Sequence, residues 1–215
     1  MRPVICLITA ARLPRADTTR DLVERIGAAA RAGVHLVQVR EPDFEGRALA
    51  QLVEGAVRAV RGTRTRVVVN DRVDVALAAG AHGVHLRSDA MPAGRVRRVV
   101  PPGFLIGRSV HLREEAVRVA GDRSLDYVIF GTVFATPSKP GVAAAGTHAL
   151  AATCAALAVP VLAVGGMTPE RLGDVAVAGA AGFAAIGLFA DCALDAVHDV
   201  VGEAVRAFDT PRRVP

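Results

Sequence analysis

The chain has 215 residues, 52% of them hydrophobic and only 4% aromatic. That is enough for one well-buried domain spanning residues 1–215, built on Ala, Val and Leu, and it leaves no room for a second of similar size. A formal net charge of +5 does not point to nucleic acid, because the arginines are spread among Asp and Glu with no basic run interleaved with aromatics.

Only Arg95-Val96-Arg97-Arg98 and Arg212-Arg213 cluster at all, and both read as solvated faces. No apolar run reaches the roughly 18 residues of a membrane span. Polarity returns after Ala11, too soon for a signal peptide, so no membrane partner and a cytoplasmic location are expected. The three cysteines, Cys6, Cys154 and Cys192, have no CxxC spacing and read as free, buried thiols. Every basic side chain except Lys139 is arginine, which hints that a compact ammonium is wanted at that one place.

Short β-rich runs alternate with amphipathic stretches, the pattern of βαβ units. The first strand is expected over residues 4–9, with a helix from about Thr19 to Ala32. Leu36–Val39 is followed by a helix over 44–61, and residues 66–69 by a helix over 72–79. A strand at Gly83–Leu86 precedes a short helix over 93–100. The fifth strand starts at Leu105 and carries Arg108 and Ser109, with a helix over 112–120 behind it. Tyr127–Phe130 is the sixth strand, residues 161–164 the seventh with a helix over 169–178, and 183–186 the eighth with a helix over 193–208. Eight units with no remainder predict an α/β fold, a closed (β/α)8 TIM barrel. Glycines preceding strands, at Gly33, Gly83 and Gly182, read as left-handed helix stops. Between Phe130 and about His148 lie about seventeen residues with no helical period, a length typical of functional loops.

Active-site side chains in such barrels project from the C-terminal ends of the strands. That rule selects Gln38, Arg40 and Glu41 after strand two, Asn70 and Asp71 after strand three, and Arg87, Ser88 and Asp89 after strand four. Strand five offers Arg108, Ser109 and His111, and the long loop offers Thr136, Ser138 and Lys139. Gly165-Gly166 and Ile186-Gly187, after strands seven and eight, stand where barrels present bare backbone N–H groups to a phosphate. Arg40 reads as an anion fork or as the partner of Asp71 or Glu41. His111 is either a proton carrier or a helix cap. His85 reads as core or rim packing.

These residues, in this order, resemble the thiamin phosphate synthase/TenI superfamily across essentially the whole chain. The segments that carry it are Val37-Gln38-Val39-Arg40-Glu41, Val69-Asn70-Asp71-Arg72, Gly83-Val84-His85-Leu86, Gly107-Arg108-Ser109-Val110-His111, Thr136-Pro137-Ser138-Lys139 and Gly165-Gly166-Met167-Thr168-Pro169. For the synthase branch the resemblance implies that an aminopyrimidine diphosphate ionises and is captured by a thiazole phosphate. Two rim aspartates there hold Mg²⁺ on the departing diphosphate. Asp71 matches the first. The second falls on Ala90, with Asp89 one residue early; the expected lysine after Arg40 is Pro42, and the usual Gly-Gln pair is Arg87-Ser88.

These departures fall on one chemical function, the neutralisation of a leaving diphosphate, and losing one metal ligand and one cation there should cost several kcal/mol, judging from about 3–4 kcal/mol for a single oxyanion donor. The expected function is therefore a TenI-like thiazole tautomerase acting on carboxythiazole phosphate, which needs no cofactor. By resemblance its catalytic residues are His111, Lys139 and Arg40. Its substrate and phosphate contacts are Gln38, Arg40, Asn70, Ser109, Thr136, Ser138, Lys139, Gly165, Gly166, Ile186 and Gly187. The Mg²⁺-dependent synthase, with Asp71 as metal ligand, is the first alternative, and a non-catalytic thiazole phosphate binder is the second. The expected partner is a small phosphorylated thiazole; homo-oligomerisation stays open.

Overall fold

The computed structural model describes residues 3–10, 18–136 and 141–210. Eight parallel strands close on themselves in chain order. They are β1 (Val4–Ile8), β2 (Leu36–Val39), β3 (Arg66–Asn70), β4 (Gly83–Leu86), β5 (Leu105–Val110), β6 (Tyr127–Phe130), β7 (Val161–Val164) and β8 (Gly182–Ala185). Between them run α1 (Thr18–Ala32), α2 (Gly46–Ala59), α3 (Val73–Ala78), α4 (Ala93–Arg97), α5 (Arg113–Val119), α6 (Gly146–Ala156) and α7 (Pro169–Val177). After β8 come α8 (Gly187–Ala190) and α9 (Val197–Asp209).

Strand alternation divides the apolar residues into two cores. One parity, with Val37, Val67, Val84, Ile106, Val128 and Phe183, packs outward against the helices. The other fills the barrel with Cys6, Ile8, Leu36, Tyr127, Ile129, Leu162 and Ala184. Tyr127 fits because Gly107 lies beside it in register. A Cβ on Gly107 would stand 2.1 Å from Tyr127 Cζ.

Three features depart from the sequence reading. The stretch expected to lack a helical period up to about His148 runs into α6, a helix not expected from sequence, which starts at Gly146 and ends at Ala156. Its sequence, Gly-Thr-His-Ala-Leu-Ala-Ala-Thr-Cys-Ala-Ala, has almost no polar face, so no amphipathic period could appear. Ile186 does not end β8 but caps the four-residue helix α8. Of the glycines read as helix stops, only Gly33 has positive φ, at 101°. Gly83 and Gly182 open their strands, where a Cβ would meet Leu105 O at 2.4 Å and Val4 O at 1.9 Å. Close strand approach, not helix termination, requires glycine at those two.

The thiols are free, as expected; Cys6 is fully buried, while Cys154 and Cys192 are half-buried. Among the described residues no helix is long and apolar enough to cross a membrane. Within the basic cluster, Arg97 is not part of a solvated face. Its guanidinium donates to Phe104 O at 2.6 Å, Ser124 O at 2.8 Å and Asp126 Oδ2 at 2.7 Å, tying α4 to the entries of β5 and β6.

Candidate active site at the barrel mouth

Inward parity places Gln38, Asn70, His85 and Ser109 on four successive strands around the upper interior of the barrel. Gln38 Nε2 donates to Asn70 Oδ1 at 2.8 Å. Gln38 Oε1 is buried with no hydrogen-bond partner. A buried acceptor left in that state costs about 1–3 kcal/mol, so a ligand N–H there would be rewarded.

His85 is fully buried, with Nδ1 3.2 Å from Tyr127 Oη and Nε2 2.9 Å from Ser109 Oγ. Burial, helped by the charge of Arg108, pushes its pKa down to about 3, so the ring is neutral. Burial also raises the Tyr127 phenol well above its usual range. A buried phenol O–H needs an acceptor, and His85 Nδ1 is the one beside it. Tyr127 therefore donates to Nδ1, His85 Nε2–H donates to Ser109 Oγ, and the Ser109 hydroxyl hydrogen is left to point into the mouth. His85 is thus more than packing. Sequence alone hides this role, because parallel strands are apolar on both faces and do not announce which parity faces inward.

Arg40 is exposed at the rim, its N–H bonded to Thr9 Oγ1 at 2.9 Å. Glu41 is buried just behind it. The pairing of Arg40 with Asp71 considered from sequence does not form, because Asp71 is taken by Arg87. Asp71 Oδ1 accepts the Arg87 N–H at 2.9 Å and Oδ2 contacts Arg87 Nε. Asp89 Oδ1 lies 3.4 Å from the same Nε. Arg108, expected at the mouth, turns aside to hold this loop. Its Nη1 donates to the carbonyls of Arg87, Ser88 and Ala90 at 3.2, 3.1 and 3.3 Å, and its Nη2 to that of Met91.

This donor set does not fit a preformed Mg²⁺ site. Both oxygens of Asp71 are committed to Arg87, Asp89 faces the same guanidinium, and the described residues contain no group of three His, Cys, Asp or Glu able to hold a metal.

His111 does not cap α5; the residue before that helix is Leu112, which makes no side-chain cap. Instead the His111 N–H bonds Glu115 Oε2 at 2.6 Å, and its Nδ1 donates to the carbonyl of Gly131, tying the ends of β5 and β6. Across the mouth Gly165 and Gly166 both have positive φ, 102° and 64°. Side chains there would strike Thr132 Cγ2 at 2.6 Å and Ala135 O at 2.7 Å. Val133 N and Phe134 N donate to Val164 O and Gly165 O at 2.8 and 3.1 Å, so the chain leaving β6 is clamped to the end of β7. Ile186 and Gly187 begin α8 on the next strand, half-buried at the same level. Thr136 is half-buried at the end of the clamped stretch; Ser138 and Lys139 lie outside the described residues.

The geometry has clear counterparts among known proteins. The chain is 41% identical over 184 residues to the thiamine-phosphate synthase of Methanoculleus marisnigri, covering 84% of each chain. It is 36% identical over 185 residues to that of Chlorobium luteolum, covering 86% of this chain and 84% of the relative. The solved thiamine phosphate pyrophosphorylase of Pyrococcus furiosus superposes with a TM-score of 0.80 at 27% identity over 95% of each chain. A 3-hexulose-6-phosphate synthase at 20% identity and a TM-score of 0.70 shares the barrel. The model of the family described as thiamine monophosphate synthase matches residues 5–189, and the chain belongs to that family.

Proposed function

We propose that this protein is a thiamin phosphate synthase, joining an aminopyrimidine methyl diphosphate to a thiazole phosphate and releasing diphosphate. This replaces the tautomerase expected from the sequence. The observation that carries it is the kinship just described, with relatives bearing the synthase name at 36–41% identity over more than four-fifths of the chain.

The reaction breaks the bond between the pyrimidine methylene carbon and the diphosphate oxygen, whose electron pair leaves with the diphosphate. The thiazole nitrogen then supplies the pair that forms the new C–N bond. The mouth offers a part for each reactant. Gln38 Oε1, buried without a donor, accepts from the exocyclic amine of the pyrimidine, while Asn70 holds the amide of Gln38 in place. The free hydroxyl hydrogen of Ser109, oriented by His85 and Tyr127, donates to the leaving diphosphate. Arg40 offers that anion a planar fork. Backbone N–H groups at Gly166 and Gly187 bind the thiazole monophosphate, in the manner of barrels that hold phosphate after strands seven and eight. By resemblance Thr136, Ser138 and Lys139 bind the reactants.

Mg²⁺ is the cofactor that the resemblance implies, and Arg87 fills the acid pair that would hold it. The test is incubation of the purified protein with both reactants in magnesium buffer, followed by chromatography for thiamin phosphate. Product at a rate proportional to protein supports the synthase. No product, together with faster aromatisation of the thiazole tautomer by the same preparation, overturns it in favour of the tautomerase.

The tautomerase keeps one specific argument, the alanine at position 90. A tautomerase needs only the monophosphate half of the mouth and a proton carrier, for which His111 stands at the rim.

A further inference from the structure

The loop after β4 is where this chain departs most from the synthase pattern, and Arg87 is the departure with a visible consequence. Its Nε contacts Asp71 Oδ2 and lies 3.4 Å from Asp89 Oδ1. Its backbone N–H holds the other Asp71 oxygen at 2.9 Å. Two further features fix this arrangement. Asp71 itself sits at φ 60°, a left-handed conformation tolerated by Asp, with its N–H bonded to His85 O at 2.9 Å. The buried guanidinium of Arg108 grips four carbonyls of the loop from below. The guanidinium of Arg87 therefore stands on a braced loop, between two carboxylates that converge on one cation.

We propose that Arg87 is the resident cation of the Asp71–Asp89 pair, occupying in the free protein the place a divalent ion would need, so that the free protein binds divalent metal weakly. A metal ion approaching Asp71 meets the positive charge of Arg87, at a separation on the order of 4 Å, and finds both oxygens of that carboxylate engaged. Repulsion between a single and a double charge at that distance, even with the dielectric of water, corresponds to about thirtyfold in affinity. Salt reduces this at a rim position, leaving an expected effect of about fivefold or more. A diphosphate is the ligand class that relieves the competition. Its oxygens offer the guanidinium another partner while adding ligands of their own for the ion.

The metal-binding half of this inference does not depend on which reaction the mouth performs. Its failure is therefore distinguishable from failure of the synthase reading. The experiment is titration of the free protein with Mn²⁺, followed by electron paramagnetic resonance of the unbound ion, for the wild type, R87Q and R87Q/D71N. Because Arg87 is exposed, R87Q keeps the fold, and circular dichroism verifies this for both variants. The expected result is at least about fivefold tighter Mn²⁺ binding in R87Q than in the wild type, with the gain removed by D71N. Inorganic diphosphate lowers the free Mn²⁺ signal further in the presence of wild type than the sum of its own chelation in protein-free buffer and the separate binding of the ion by the protein. A smaller gain in R87Q, a gain that survives D71N, or purely additive behaviour with diphosphate overturns the proposal.

Discussion

Ser109 gains its chemical character from two residues it does not neighbour in sequence. His85 on β4 and Tyr127 on β6 leave its hydroxyl hydrogen for a ligand. Replacing it with alanine removes the donor proposed to meet the leaving diphosphate. S109A is expected to lower kcat about 10²–10³-fold and, by leaving the buried His85 Nε2–H without its acceptor, to cost about 1–3 kcal/mol of stability, measured by steady-state kinetics beside a melting curve. Gly107 is the steric counterpart of that relay. Alanine there would place Cβ 2.1 Å from Tyr127 Cζ, inside a filled barrel where the ring cannot step aside. G107A is expected to destabilise the fold by about 3 kcal/mol or more, read from denaturant midpoints. Both roles are invisible in the sequence, where His85 and Tyr127 look like ordinary members of apolar strands.

At the scale of elements, the loop after β4 is stabilised by a neighbour rather than by its own residues. Arg108 supplies charge-assisted hydrogen bonds to four carbonyls, each of which would otherwise be left without that donor. R108A is therefore expected to cost about 2–3 kcal/mol, and hydrogen exchange should quicken across residues 87–91 more than elsewhere.

Most elements were legible from sequence, since strands such as Leu36–Val39 and Gly83–Leu86 are apolar runs bounded by glycine or polar residues. The helix α6 was not, because small apolar residues surround it on every side. The loops of the site were partly legible. Gly165-Gly166 and Asn70-Asp71 announce strand ends, but that Arg108 points away from the mouth and Arg87 fills the acid pair depends on side-chain directions that spacing does not encode.

For the molecule as a whole, the buried histidine sets a limit on acid tolerance. His85 falls to about 3 in the folded chain from an ordinary value of 6.5. The unfolded chain therefore takes up its proton first as the pH drops. The contribution is complete above pH 6.5 and is lost progressively toward pH 3, on the order of 3–5 kcal/mol in all. His35 and His82, also lowered by burial, act in the same direction. Stability from urea titrations should thus fall steadily from pH 7 to pH 4, and H85Q should flatten that slope although it is less stable at pH 7.

The proposed synthase reaction brings two phosphorylated reactants together in one barrel mouth, where one of them loses diphosphate. Phosphorus NMR of the purified protein with aminopyrimidine methyl diphosphate, thiazole phosphate and magnesium tests this most directly. Equal growth of free diphosphate and thiamin phosphate, abolished by omitting the thiazole phosphate, is the predicted result. An unchanged spectrum from folded protein after prolonged incubation would contradict it.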